Sequence, residues 1–499
     1  MSLLLTGGTV LIHDDQDKIS PIRADVLISS GRIVKIAPEI STPNGGEVID
    51  CTDKIISPGF VDTHHHVWQT ALKGLFGNAP FFPYMATMTA AGMVFTPEDV
   101  FWGNLAGSME AIDAGTTTTL DHAHLNWSED HSKSAIAGSI TSGIRSIFAY
   151  TPVLTLKETQ PHIKFASELM PNWVMEALER LSTSKSLTSS DSRVQLGFGF
   201  DFYFLPQQIV QGIFAKVKSL GVKIITSHFV RQFDHGEGLV SKLKSYGLLD
   251  KGIVLSHAGV ATAEDAKLLH EAKVYVSATP NTELAMAVGP PVPFRQDLPL
   301  MDEVCSLGID CHSATSGSLV NEMRFALQVA RGHDSAAHLK DGQIPRKIYH
   351  ATADVFNMGT IQGARALCLE HEIGSMKEGK KADLVVFDAL SPAMIGVAQQ
   401  DPVSAIVLHS SIGDVNTVIV DGRVRKRAGK LLPVRAAEWR GEEIDDNGSD
   451  ITWADVCKQV LGTQKRFLDK MDELNIEGIE ASLRQMYVAR WSSEAYTKH

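Results

Sequence analysis

The sequence has little cysteine, no long apolar run and a deficit of positive charge. Its five cysteines (Cys51, Cys305, Cys311, Cys368, Cys457) are scattered over 499 residues, odd in number and without a C-x-x-C pair. That argues against a disulfide framework and reads as reduced, buried thiols of a cytoplasmic protein. No stretch of about 18 apolar residues occurs, so no membrane-spanning segment is expected. The opening stretch MSLLLTGGTVLIHDD has no basic start and carries glycines where a signal core needs leucines, so it reads as a strand. Lys and Arg total 46 against 58 Asp and Glu, a net charge of −12, with no basic patch. Nucleic acid is therefore not an expected partner, and the acidity serves solubility. What is present is 44% apolar and 21% charged residues, an ordinary soluble make-up. The length accommodates one large catalytic domain and a smaller companion.

Residues 1–57 give short β signals broken by Gly, Asn, Asp and Pro, the pattern of meandering strands. From 58 to 379 apolar runs that end in polar residues alternate with helical stretches. The runs are GFVDTHHH, GTTTTLDHAH, IRSIFAYTP, VQLGFGFDFY, VKIITSHF, GIVLSHAG, VYVSATPNTE and LGIDCHSA. Strand-like runs each followed by enough chain for a crossover helix predict an α/β fold, a (β/α)8 barrel. Its functional residues belong at the C-terminal strand ends. Residues 380–433 return to β signals, so both chain ends are expected to build one small β-sandwich domain around the inserted barrel. Residues 434–499 read as a C-terminal helical extension, packed on the barrel or on a neighbouring subunit.

Three consecutive histidines in SPGFVDTHHHVWQT (57–70) raise the question of a metal. Side chains alternate faces along a strand, so His64 and His66 share one face and His65 points away. His228 ends VKIITSH, His257 ends GIVLSH and Asp310 ends LGID. Four strands thus bring these groups to one end of the barrel. Three neutral imidazoles and a carboxylate suit Zn2+ or Fe2+ with one position left for water. Such an ion lowers the pKa of that water towards neutrality and supplies hydroxide at pH 7. Asp310 is placed to bind the ion and take the water proton, and His257 to orient or polarise without ligating.

The ordered set PGFVDTHHH, the two strand-end histidines, LGID before NEMRFAL, and the returning GARALCLEHEIGSMKEGKKADLVVFDA resembles the amidohydrolase superfamily. The nearest branch is the cytosine deaminase-like group of triazine hydrolases and nucleobase deaminases, and the resemblance covers roughly residues 1–430. It implies a distorted TIM barrel, a metal held by His64, His66, His228 and Asp310, and His257 as the catalytic histidine outside the ligand set. Members with two metals bridge them with a Lys or Glu on the fourth strand; VQLGFGFDFY has neither, which implies one divalent ion per subunit, Zn2+ in preference to Fe2+. Deaminases of this branch carry a Glu three residues after the fifth-strand histidine, where this chain has Arg231. The expected substitute acid is Glu283, which otherwise pairs with Arg231 or Arg295 as a structural ion pair.

Further substrate contacts are expected from Trp68, by stacking, and from Gln69, Arg231 and His122. Residues 75–95, rich in Phe and Met, are expected to form a lid with an apolar wall or an interface helix. Together these readings predict a hydrolase of a non-peptide C–N bond that deaminates an N-heterocyclic small molecule and assembles as a homo-oligomer, dimer or tetramer. Two other readings share the same residues: hydrolysis of a cyclic amide or imine or displacement of another group such as halide, and a non-catalytic barrel scaffold.

Overall fold

The computed structural model describes residues 2–230, 238–347 and 349–488. Eight parallel strands follow one another in sequence order around a barrel: Phe60–His65, Thr116–Ala123, Arg145–Tyr150, Val194–Gly199, Ile225–Phe229, Ile253–His257, Tyr275–Ala278 and Cys305–Leu307. Their residues are almost all buried, as expected of parallel strands covered on both faces. The barrel closes between its first and last strands, where the Asp310 amide donates to His64 O (2.8 Å) and the His66 amide to Asp310 O (2.9 Å). Gly308 permits that approach: a Cβ there would lie 2.8 Å from both the amide nitrogen and the carbonyl oxygen of His64.

Crossover helices are started by side-chain caps. Thr96 and Asp99 form a reciprocal capping box at the head of Pro97–Asp113, and Thr262 and Asp265 do the same for Ala263–Ala272. The expected (β/α)8 barrel is therefore what the chain folds into.

Strands from both ends of the chain share one nine-stranded sheet. Leu384–Asp388 runs antiparallel to Lys54–Pro58, which in turn lies beside Ser2–His13. Leu5, Val10, Val26, Ile56, Leu384 and Ile419 are fully buried in its own apolar cluster. A buried ion pair ties this sheet to the barrel: Arg145 on the third barrel strand donates to Asp383 through Nε (2.7 Å) and Nη2 (3.1 Å).

The segment from 434 onwards departs from the expected helical extension. It first makes two short ladders, Val434–Arg435 with Asp450–Ile451 and Glu438–Arg440 with Glu443–Asp445, the second turning at Gly441 with φ +69°. Helices Trp453–Met471 and Ile476–Val488 follow. The first packs on the Pro97–Asp113 helix, with Phe467 fully buried against Phe95 and both Thr463 and Arg466 bonded to Asp99. The second packs on helix Phe81–Ala91. No described helix is long and apolar enough to cross a membrane.

Candidate active site

The C-terminal ends of the barrel strands carry a cluster of imidazoles and carboxylates. His66, directly after the first strand, donates from Nδ1 to the His122 carbonyl (2.8 Å), which turns its Nε2 lone pair towards the other site residues. That nitrogen lies 3.2 Å from Asp310 Oδ1 and 3.4 Å from His228 Nε2. His228 is turned in the same way: its Nδ1 donates to Asp201 Oδ2 (2.8 Å) and its amide to Asp201 Oδ1 (2.8 Å). His64 Nε2 is 3.4 Å from Asp310 Oδ1, and both its ring nitrogens are buried without a hydrogen-bond partner.

Imidazole nitrogens converging on one another and on a carboxylate form a donor arrangement that suits a cation at its centre. Convergent donor triples overlap here: His64, His122 and His228; His64, His257 and Asp310; His66, Asp310 and Cys311. The expected His64, His66, His228 and Asp310 lie together in this cluster, and the ring nitrogens of His122, like those of His64, are buried without a hydrogen-bond partner. His65 points away, as strand parity predicts, with Nδ1 on Asp62 Oδ2 (2.7 Å) and Nε2 on His312 Nδ1 (2.7 Å).

Electrostatics prepare the same set. Burial lowers His64 well below the usual imidazole value and lowers His66 as well, keeping both neutral. Burial would raise Asp310, but the adjoining imidazoles of His64, His66 and His257 hold its carboxyl well below the usual range. The Asp201 carboxyl is likewise held down by His228 against its burial.

His257 and Asp310 both sit in the left-handed backbone region, at φ +76° and +60°. Such conformations are costly for non-glycine residues and here aim both side chains into the barrel mouth. His257 Nδ1 contacts Thr279 Oγ1 (2.9 Å), and its Nε2 lies 4.0 Å from Asp310 Oδ2. Asp310 Oδ1 accepts from the Cys311 thiol (3.2 Å), whose single proton is thereby used. The Tyr84 hydroxyl, 3.0 Å from Cys311 Sγ, must then donate to sulfur. Gln69 Nε2 donates to Tyr84 Oη (2.7 Å), and Ser313 donates to Gln69 Oε1 (2.6 Å).

These contacts relocate four expected substrate-site residues. Gln69 is fully buried in that chain behind Asp310, and Trp68 packs edge-on against Phe95 with Nε1 on His124 Nδ1 (3.2 Å). Neither lines the cavity, because the strand ends at His65 and Val67–Leu72 turn into a short helix that carries both inward. His122 is buried beside His228, and His124 takes the cavity wall instead. Glu283 also misses the cavity: Pro280 starts a one-turn helix after the seventh strand, which places Glu283 behind His257. Its Oε1 accepts from the Thr279 amide (2.9 Å) and lies 3.7 Å from His257 Nδ1, and burial raises its carboxyl. Arg295 is engaged by Asp297 and the Gly259 carbonyl, so it is not the partner of Glu283. Arg231 lies outside the described residues. Asp201 was not anticipated, although it ends the fourth run as the other site residues end theirs.

The match to known proteins agrees with this geometry. The amidohydrolase family model matches residues 55–193 and 210–425, more than two thirds of the chain. A 5-methylthioadenosine/S-adenosylhomocysteine deaminase of Thermococcus kodakarensis is 27% identical over 440 residues, covering 85% of this chain and 94% of that protein. A 5'-deoxyadenosine deaminase of Methanobrevibacter smithii is 27% identical over 467 residues, with coverages of 87% and 96%. Among solved structures, a zinc-bound adenosine deaminase from Xanthomonas campestris superposes with a TM-score of 0.74 at 18% identity, covering 94% of this chain and 98% of that one. A zinc-bound atrazine chlorohydrolase from Arthrobacter aurescens gives 0.73 at 18%, with coverages of 93% and 100%. From its matched residues, the chain belongs to the amidohydrolase family.

Proposed function

We propose that the chain is a metal-dependent hydrolase that deaminates an N-heterocyclic small molecule, using one divalent ion, zinc in preference to iron. Nε2 of His64, His66 and His228 and a carboxylate oxygen of Asp310 would hold the ion. The observation that carries this reading is the convergence of the His66 and His228 Nε2 atoms, 3.4 Å apart, with each ring oriented by an oxygen acceptor on its own Nδ1. A single ion is supported by Asp201: both its oxygens are committed to His228, so the fourth strand offers no free bridging group.

When bound, the ion supplies hydroxide at neutral pH. The chain's own groups do the rest. Asp310 Oδ1 accepts from the Cys311 thiol and faces the His64 and His66 Nε2 atoms, where the ion would sit, so Oδ2 is the atom that would hold the water proton and pass it to the leaving nitrogen. His257 Nε2, across from Oδ2, orients the attacked carbon's substituents by hydrogen bonding. The new C–O bond forms, the C–N bond breaks, and ammonia leaves with that proton. The deaminases among the relatives support this substrate chemistry.

One observation favours a second reading. Among the described lining residues the only carboxylic acids are Asp201 and Asp310, so a leaving group that needs no separate acid, such as halide, also fits. An ammonia-release screen of purines, pyrimidines, triazines and cyclic amidines, with chelated enzyme as control, decides. Metal-dependent ammonia from any of them supports deamination. Chloride release from chlorotriazines without ammonia from any amine moves the assignment to the second reading, and no metal-dependent turnover of either kind refutes both.

A further inference from the structure

The cavity over the candidate metal centre has two unlike ends. Its floor is made by His66, His124, Asp201, His228, His257 and Asp310. Its outer walls include Phe81, Met85 and Met88 from one helix, Phe204, and Leu483 and Tyr487 from helix Ile476–Val488. Among the described lining residues there is no Lys, Arg, Asn, Gln or Glu side chain. Of the two lining carboxylates, Asp201 is bonded to His228 and Asp310 lies against the His64 and His66 rings at the floor.

The outer wall is built rather than incidental. The Arg484 guanidinium lies 4.9 Å over the Phe82 ring and its Nε donates to Glu480 (2.8 Å). Ile479 and Leu483 are buried against the neighbouring helix. This wall helix lies beyond residue 425, where the family match ends, so the chain supplies it from outside the shared barrel.

We propose that the substrate is a flat N-heterocycle bearing an apolar alkyl or aryl substituent that lies between helices Phe81–Ala91 and Ile476–Val488, with Leu483 and Tyr487 as specificity-determining residues. The inference rests on the deaminase reading above and names its substrate class. The heterocycle meets the imidazoles and Asp310 at the floor, and its substituent points outward. Among the described lining residues a sugar hydroxyl would find few polar partners beyond the Thr89, Thr151 and Tyr487 hydroxyls, whereas methylenes gain from burial against thioethers and rings.

The test uses zinc-loaded full-length protein and three series of amino-heterocycles (purine, pyrimidine and triazine) carrying methyl, propyl or pentyl groups, with adenosine alongside. Dissociation constants come from calorimetry, and ammonia release is read in parallel. In at least one series, binding should tighten about fourfold per methylene. Leu483→Ala and Tyr487→Ala should flatten that gradient, and Leu483→Met should preserve it. Leu483→Gln, polar, one atom longer and a good helix former, gives the same readout should an alanine variant lose helical content. No gradient in any series, tighter binding of adenosine than of 9-propyladenine, or an undiminished gradient in the folded variants would each overturn the proposal. A gradient in binding without ammonia from any compound would uphold the apolar chamber and remove the deaminase reading beneath it.

Discussion

Replacing Asp201 by Asn changes one oxygen for an NH2 and leaves the shape alone, yet it should damage the metal centre. Both Asp201 oxygens accept from His228, one from the amide and one from Nδ1, each at 2.8 Å. Asparagine has a single oxygen for those two donors. Either the His228 amide is left facing an NH2 group, or Nδ1 becomes an acceptor and the ring proton moves to Nε2. The first costs one buried unsatisfied donor, about 1–3 kcal/mol. The second removes the lone pair that faces the ion, and avoiding it leaves only the first. A loss of that size corresponds to roughly 10- to 100-fold in metal affinity, the range seen when a partner behind a ligating histidine is removed. Competition with a chromophoric chelator measures the zinc Kd of Asp201→Asn directly. A shift smaller than about threefold, with the fold intact, would refute the claim that Asp201 sets the His228 tautomer.

Three further outcomes follow from other parts of the molecule. Glu283→Gln should leave kcat/KM within roughly tenfold, since Glu283 sits behind His257; a loss of about 10²-fold or more would restore it as a proton donor. Arg145→Met should cost about 3–5 kcal/mol in urea unfolding because it strands the buried Asp383 carboxylate between sheet and barrel, and Asp383→Leu added to it should recover part of the loss. Burial lowers His13 from 6.5 to about 4, so the unfolded chain takes up a proton first and stability falls as pH drops from 6.5 towards 4. His13→Gln should remove about 2 kcal/mol of the difference between pH 7.5 and pH 5, read as the change in unfolding free energy.

The barrel was legible because each parallel strand is buried on both faces and ends abruptly in polar residues. The same punctuation exposed His64, His66, His228, His257 and Asp310, and the two-residue period separated His65 from its neighbours. Asp201 carries an equal signal in FGFD, but an aspartate there is neither the Lys nor the Glu that bridges two metals in the family. Trp68 and Gln69 were expected at the site from their place just beyond the strand end, but there the backbone has already turned into a helix that carries both away from the cavity. Glu283 was expected as the substitute acid for the position of Arg231, but after Ala278 Pro280 begins a turn of helix that sets it behind His257. Leu483 and Tyr487 reach the cavity through packing between residues some 400 apart in the chain, which no local pattern encodes.

The central claim is a single catalytic metal held by His64, His66, His228 and Asp310. Elemental analysis of gently purified protein, followed by stepwise zinc titration of the chelated chain with ammonia release as readout, tests it most directly. The account predicts one metal per chain and activity that rises to its plateau at one equivalent. Less than about 0.2 metal per chain with no activity restored by Zn2+ or Fe2+, as a scaffold would give, or a requirement for two equivalents, would contradict it.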